Sequence, residues 1–328
     1  MKNIQADIKS GNFKQVYLLY GKEEYLKQQY KQNLVKALNP DGDTMNFNHY
    51  EGKGIDVKQL IDLCETMPFF AERRVVLLED TGFFKNKCEE LADYMKELPD
   101  YLYLVFAETE VDKRNRMYKA VKACGSIAEF IRQDEKTLMR WAAGILGKAG
   151  KKITQRDMEL LLTKTGTDMG NLRMEMEKLI SYTEGRDVVT AEDIEEICTT
   201  QTTNRIFDMV RAVTEKNQKR ALELYYDLLT LKEPPMRILF LLAKQYRQLL
   251  LAKQFAAAGL AQTEIASKLG VPGFVVRNIT TCARAYTISE LEQAVKDFVD
   301  AEESVKTGRL EDKLSVELLI IKYSSKVK

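Results

Sequence analysis

Two short stretches carry the residue types of nucleotide chemistry. In VYLLYGKEEYLKQQY, Val16 to Tyr20 reads as a buried strand running into Gly21, with a helix-forming stretch continuing to Tyr30. A phosphate-binding loop is built at such a strand-turn-helix junction. It needs a second glycine, then Lys and Ser/Thr, so that bare backbone N–H groups wrap the phosphates and a hydroxyl holds Mg²⁺. Here the second-glycine position is Leu26, the lysine is present as Lys27, and the hydroxyl position is Gln28. Leu26 adds a side chain where phosphate must approach, and Gln28 is a poor ligand for a hard cation. The loop reads as degenerate, and no cofactor is expected. The second stretch, Val75-Val76-Leu77-Leu78-Glu79-Asp80, ends an apolar strand in acids, the pattern that orders Mg²⁺ and water in an ATPase. Without a phosphate cradle, Glu79 and Asp80 are expected to be polar strand-end residues.

A third stretch suggests binding rather than catalysis. Met67-Pro68-Phe69-Phe70 lies between an expected helix, Val57 to Glu65, and the strand from Arg74, at a turn that Pro68 helps set. Adjacent phenylalanines cannot both face one side of a regular element, so at least one is expected on a protruding turn. Exposed Met and aromatic side chains are the usual anchors of a protein–protein hot spot. On the residues alone, the alternative is a turn that plugs its own core.

Asp112 to Lys122, DKRNRMYKAVK, reads as a basic helix carrying Lys113, Arg114, Arg116, Lys119 and Lys122. Two readings stand: contact with a DNA backbone or a neighbouring subunit, or a solvated face with Met117, Val121 and Tyr118 turned to the core. Thr263 to Asn278, TEIASKLGVPGFVVRN, has the outline of a helix-turn-helix. It offers apolar Phe274, Val275 and Val276 where a recognition helix presents polar groups, and only Arg277 and Asn278 suit a base edge. Internal packing is favoured. Near the end, Ala301, Val305, Leu310, Leu314, Leu318 and Ile321 fall at helical spacing, broken by Lys306-Thr307-Gly308-Arg309. That stripe reads as core plus oligomer interface, with Arg309 set for a charge-assisted bond to a neighbouring helix end.

The elements that position these residues fall into three regions. From 1 to about 140, candidate strands at Val16–Tyr20, Met45–Tyr50, Arg74–Leu78, Tyr101–Ala107 and Ser126–Phe130 alternate with amphipathic helices. Continuous runs such as YLYLVFA predict strands covered on both faces of a largely parallel sheet. From 141 to 210 no strands are expected; short helices follow Thr154, Asp168 and Thr190 as N-caps. From 211 to 328 the pattern is helical, with Pro234-Pro235 opening a long helix and Gly259, Gly270 and Gly308 marking ends. The fold class is α/β plus all-α.

Bulk properties narrow the function. The 328 residues allow two or three domains. Lys+Arg 50 against Asp+Glu 49 leaves a net charge of +1, so nucleic-acid binding must come from a local patch. MKNIQADIKSGNF has no apolar signal core. The apolar segment Met236 to Leu251 is interrupted by Arg237, Lys244 and Arg247, well short of the roughly twenty apolar residues of a membrane span. Five scattered cysteines (Cys64, Cys88, Cys124, Cys198, Cys282) form no CxxC pair, which predicts a reducing cytoplasm and no structural zinc. The single histidine, His49, has no Cys or His companion and predicts no metal site.

An α/β nucleotide-type domain, a small helical lid and a helical tail form the layout of AAA+ clamp-loader subunits. More specifically, the chain resembles the delta-subunit family of bacterial DNA polymerase III. VYLLYG, CETMPFFAERRVVLLED, VDKRNRMYKAV and EESVKTGRLEDKLSVELLIIK carry the resemblance, in family order along nearly the whole length. It implies an AAA+-like parallel α/β domain over 1–140, a helical lid over 141–210 and a helical collar over 211–328, with Lys306 and Arg309 as collar candidates. It further implies that Met67, Pro68, Phe69 and Phe70 form a wedge that enters a hydrophobic pocket of the ring-shaped sliding clamp. The implied partners are that clamp, the delta-prime and gamma/tau subunits, and primer-template DNA within the complex. The family's delta subunit hydrolyses no ATP, and no Ser-Arg-Cys arginine finger follows the fourth strand here. Two rival functions remain: a divergent AAA+ ATPase and a helix-turn-helix DNA-binding regulator.

Overall fold

The continuous apolar runs become the strands of one parallel sheet. The computed structural model describes residues 2–199 and 202–325, and the chain divides between Gln133 and Asp134 into two units. The first unit contains α1 (Lys2–Ser10), β1 (Val16–Tyr20), α2 (Glu24–Leu38), β2 (Phe47–Glu51), α3 (Val57–Glu65), β3 (Arg74–Glu79), α4 (Glu89–Tyr94), β4 (Leu102–Glu108), α5 (Arg116–Cys124) and β5 (Ser126–Glu129). The sheet order is β2-β3-β4-β1-β5, with every neighbouring pair parallel.

Both faces of this sheet are covered, which explains why its strands are apolar without alternation. Val16, Leu18, Val76, Leu78, Leu104 and Phe106 face Leu60 of α3, Leu91 of α4, and Met117 and Val121 of α5. On the other face, Tyr17, Leu19, Val75, Leu77 and Val105 pack with Ile4 of α1 and Leu34 and Leu38 of α2. The chain leaves β1 through α2 on one face and leaves β4 through α5 on the other. The carboxyl ends of the adjacent strands β1 and β4 are therefore a topological switch point, where open α/β sheets hold ligands.

Two local expectations need correction here. The expected strand from Met45 starts at Phe47, leaving Met45 exposed. The basic helix expected from Asp112 begins only at Arg116, because the Asn115 side chain accepts from the Met117 N–H at 2.9 Å and caps the helix. Lys113 and Arg114 therefore sit on a turn before the helix.

The second unit contains α6 (Glu135–Lys148), β6 (Lys152–Ile153), α7 (Gln155–Thr165), α8 (Met169–Tyr182), β7 (Val188–Val189), α9 (Ala191–Ile197), α10 (Thr202–Thr214), α11 (Gln218–Thr230), α12 (Pro235–Ala257), α13 (Gln262–Leu269), α14 (Gly273–Ala283), α15 (Ile288–Lys306) and α16 (Asp312–Ser324). Leu146, Leu161, Leu172, Met176 and Ile194 belong to one buried cluster, and Tyr225, Leu242, Tyr246, Phe298 and Val316 to another. Thr154, Asp168 and Thr190 cap α7, α8 and α9 as their spacing predicts, Thr190 in a reciprocal capping box with Asp193. Strands are not absent, however: β6 and β7 pair in parallel, Lys152 with Val188 and Ile153 with Val189. Two-residue strands are too short to leave a period in the sequence.

The terminal stripe divides, with Ala301 packed against the tail core and Leu314 and Leu318 at the surface. On α16 the buried residues are Ser315, Val316, Leu319, Ile320 and Ser324, whereas Leu314 and Leu318 are exposed. Apolar residues occur on several sides of this helix, so helical spacing alone could not select the inward face.

Candidate functional site

The Met67–Phe70 segment projects from the sheet-bearing unit as a turn of exposed apolar side chains. Met67 is 75% exposed, Phe69 56% and Phe70 95%, so both phenylalanines face solvent. Their rings meet edge to face, with centroids 4.4 Å apart. Phe70 has φ +50°, a left-handed conformation rare for a residue with a bulky side chain, and one that a held turn can sustain.

Two buried polar side chains hold this turn. Asn46, 3% exposed, accepts from the Phe69 N–H at 2.7 Å and donates to the Phe69 carbonyl at 2.8 Å. Its amide nitrogen also donates to Asp43 Oδ2 at 2.5 Å. Arg74, at the start of β3 and 5% exposed, donates from Nε to the Thr66 carbonyl at 2.9 Å and from a terminal nitrogen to the Met67 carbonyl at 3.3 Å. A second terminal nitrogen donates to Asn48 Oδ1 at 3.2 Å. Tyr101 Oη donates to the Glu65 carbonyl at 2.7 Å. Carbonyls left open at the end of α3 are thus satisfied by side chains from elsewhere in the fold. Sequence reasoning singled out Met67, Pro68, Phe69 and Phe70 as candidates but not Asn46 and Arg74, since isolated polar residues at strand starts carry no periodic signal.

The degenerate phosphate loop is closed by its own chain. Gly21 N–H donates to the Glu108 carbonyl at 3.2 Å and Glu23 N–H to the Phe130 carbonyl at 3.0 Å. Lys27 is buried; its ammonium pairs with Glu24 at 2.8 Å and lies 3.4 Å from the Glu108 carbonyl. Leu26 packs against the α2-side core, and Gln28 donates to Glu24 at 2.8 Å. Backbone amides that would cradle phosphate are engaged with β4 and the residue after β5.

The strand-end acids likewise have internal partners. Glu79 accepts Lys31 at 2.7 Å and His49 at 2.9 Å. His49 is therefore a surface residue held against the Glu79 carboxylate, a contact its isolation in sequence did not reveal. Asp80 accepts from the N–H and hydroxyl of Thr109 at 2.9 and 2.8 Å. Glu108 is buried, and burial pushes its carboxyl above the usual range although the Thr81 hydroxyl and N–H donate to it. Among the described residues, no group of three or more His, Cys, Asp or Glu side chains is arranged to hold a metal ion.

At the switch point a cleft of about 900 Å³ is lined by Gly21, Lys22, Glu110, Arg114, Glu129 and Arg132, among others. Its charges are largely matched internally: Lys85 pairs with Glu110 and Arg114 with Asp112. The five basic candidates near α5 divide. Lys113 pairs with Glu129 at 2.8 Å, Arg114 with Asp112 at 3.1 Å and Arg116 with Asp93 at 2.6 Å, while Lys119 and Lys122 stand exposed on the helix. Met117 and Val121 are buried beneath them.

In the second unit, α13 and α14 do form a helix-turn-helix, closed by Gly270 at φ +64°. Ile265 and Val276 are buried in the tail core, and Arg277 lies 3.8 Å from Glu159. The Phe274 side chain falls outside the described part of the molecule. Arg309 bonds within its own chain, to Glu303 at 2.7 Å and Thr307 at 2.9 Å, and Lys306 pairs with Glu302 at 2.6 Å. Among the described residues no helix is long and apolar enough to cross a membrane.

Comparison with known proteins matches both units. The family model for the DNA polymerase III delta subunit matches residues 17–130, and that for its C-terminal domain matches residues 203–323. DNA polymerase III subunit delta of Bacillus subtilis is 26% identical over 332 residues, covering 97% of this chain and 95% of that protein. A probable DNA polymerase III subunit delta of Aquifex aeolicus is 22% identical over 270 residues, covering 78% and 75%. In structure, the Bacillus subtilis DNA clamp loader delta protein superposes with a TM-score of 0.68 at 24% identity, covering 99% of each chain, a likeness of fold. With one family model on the sheet-bearing unit, the other on the helical tail, and relatives aligned along the length between, this chain belongs to the DNA polymerase III delta-subunit family.

Proposed function

We propose that this chain is a clamp-loader subunit that binds the sliding clamp through Met67, Pro68, Phe69 and Phe70 and opens the ring for loading onto primed DNA. The observation that carries this reading is the exposure of Met67, Phe69 and Phe70 together on one braced turn. Side chains of this kind anchor interfaces at roughly 2 kcal/mol or more each when a partner pocket buries them. Opening then follows from differential affinity, because a ligand shifts an equilibrium only by the difference in its affinity for the two states. Moving a ring from about 1:99 to 99:1 open takes ~5.5 kcal/mol of difference, which three such anchors reach only when their contacts are made to the open ring and not to the closed one.

The same reading assigns no ATP hydrolysis to this chain. The engagement of the Glu23 N–H by the Phe130 carbonyl and of Glu79 by Lys31 and His49 supports that assignment. The first domain would meet the clamp, residues 141–210 would form the lid, and 211–328 the collar joining delta-prime and gamma/tau subunits. Primer-template DNA would be met within the complex, with Lys119 and Lys122 the basic residues best exposed to reach it. The work would be cytoplasmic.

Replacing Met67, Phe69 and Phe70 together by alanine tests the proposal. All three are exposed, so the folded state should keep its unfolding midpoint. Binding to purified sliding clamp, read by calorimetric titration, should fall by at least a hundredfold. A triple variant that binds as the wild type does would refute the wedge.

A further inference from the structure

We infer that Asn46 and Arg74 are positioning residues for the clamp-binding turn: they hold Met67 to Phe70 in the presenting conformation before any partner arrives. The inference rests on the wedge reading above and adds what makes the wedge rigid. Phe69 and Phe70 have little of their own protein to pack against, yet the backbone beneath them is fixed at four points. Asn46 takes both the N–H and the carbonyl of Phe69, at 2.7 and 2.8 Å. Arg74 takes the carbonyls of Thr66 and Met67, at 2.9 and 3.3 Å. These bonds grip both sides of Pro68, a residue that already has a fixed φ.

The braces are themselves anchored. Asn46 donates to Asp43, whose N–H is held by Asn39 Oδ1 at 3.0 Å. Arg74 donates to Asn48 in β2 at 3.2 Å and opens β3 in the middle of the unit. Asn46 and Arg74 are 3% and 5% exposed, so their hydrogen bonds are shielded from competing water, and an unmade bond there is costly. The left-handed backbone at Phe70, φ +50°, is the sort of strain a flexible loop would relax and a braced one retains.

Preorganisation has a kinetic signature distinct from that of contact. If a brace is lost, a smaller fraction of molecules presents the competent turn, and apparent affinity falls by that fraction. The loss then appears in the association rate, whereas removing a ring that fills a partner pocket appears in the dissociation rate. Full-length wild type, Asn46→Ala, Arg74→Lys and Phe70→Ala should be compared against purified sliding clamp by surface-plasmon kinetics. Alongside, hydrogen exchange should be followed at the Phe69 amide of each free chain.

The expected result is about tenfold slower association for Asn46→Ala and Arg74→Lys, with dissociation unchanged and the Phe69 amide deprotected. Phe70→Ala should instead dissociate faster and keep that amide protected. Unchanged association in both brace variants, or a loss confined to dissociation, overturns the inference. An unprotected Phe69 amide in the free wild-type chain overturns it without any variant. Should the triple alanine variant of the wedge bind normally, the wedge reading fails on its own, while the exchange measurement still reports on the brace.

Discussion

Gly21 stands where a phosphate loop places a glycine to admit phosphate, but its surroundings give it a different duty. Its φ is +127°, and a Cβ built there would lie 2.2 Å from the Phe130 carbonyl oxygen and 2.8 and 2.9 Å from the Phe130 carbonyl carbon and nitrogen. The neighbour is backbone, so no side-chain rotation relieves the contact. For Gly21→Ala, backbone strain of about 1–3 kcal/mol adds to overpacking of about 1–3 kcal/mol. A total near 4 kcal/mol is a large share of the ~5–15 kcal/mol that holds a domain folded. Relief by moving Phe130 would also strain its 2.7 Å bond to the Tyr20 carbonyl and the Glu23 bond at 3.0 Å. The control is Gly42→Ala: φ is +67° there too, but nothing lies within 4 Å of the added Cβ, so only about 1 kcal/mol is expected. The single tryptophan, Trp141, belongs to the second unit. Urea unfolding is therefore best followed by hydrogen exchange of peptides from β1, β4 and β5. At roughly 2–3 kcal/mol per molar urea, Gly21→Ala should lower the midpoint by more than 1 M and Gly42→Ala by less than 0.5 M. Equal shifts for the two would refute the argument that Gly21 exists to admit the Phe130 backbone.

Two further outcomes are expected. Phe70→Gly should leave the unfolding midpoint unchanged or slightly raised, since glycine accepts φ +50° freely, while clamp affinity falls roughly thirtyfold for a lost ~2 kcal/mol anchor; calorimetry alongside thermal unfolding separates the two effects. In the tail, burial alone would raise the Asp297 carboxyl, but hydrogen bonds from Lys322, Tyr323 and Gln293 outweigh it and hold the group below the usual carboxylate range. A folded-state value below the unfolded one, about 4, gives stability that is full above that pH and lost as pH falls through the folded value. Wild type should therefore lose tail stability more steeply below pH 4 than Asp297→Asn, as followed by hydrogen exchange of peptides from α15 and α16; parallel curves would show that the carboxylate contributes nothing.

What the sequence disclosed follows from which interactions are local. β1 and α3 fall at the expected residues, Val16–Tyr20 and Val57–Glu65, because a run of apolar residues covered on both faces, or a capped amphipathic stretch, declares itself within its own length. The caps at Thr154, Asp168 and Thr190 were legible for the same reason. Met67, Phe69 and Phe70 could be singled out because paired aromatics at a proline turn conflict with any regular burial. The supports could not. Asn46 and Phe69 are 23 residues apart and meet only because β2 lies beside β3. Whether Lys113, Arg114 and Arg116 present free charge depends on Glu129, Asp112 and Asp93, two of them distant in the chain. On α16 the inward face was not legible because Leu314 and Leu318 are as apolar as Val316 and Leu319, and only the neighbouring helices decide which pair turns inward.

The carbonyl of Phe130 resting on the Glu23 amide also bears on reversibility. Leu26→Gly and Gln28→Thr would restore the lettering of a nucleotide loop, yet an anion would still face an oxygen of the main chain, fixed by the end of β5, in the space it needs. Seating an anion there would require rerouting the segment after β5. Substitutions within α2 alone therefore leave this junction shut, because the obstruction is main chain contributed from outside that helix.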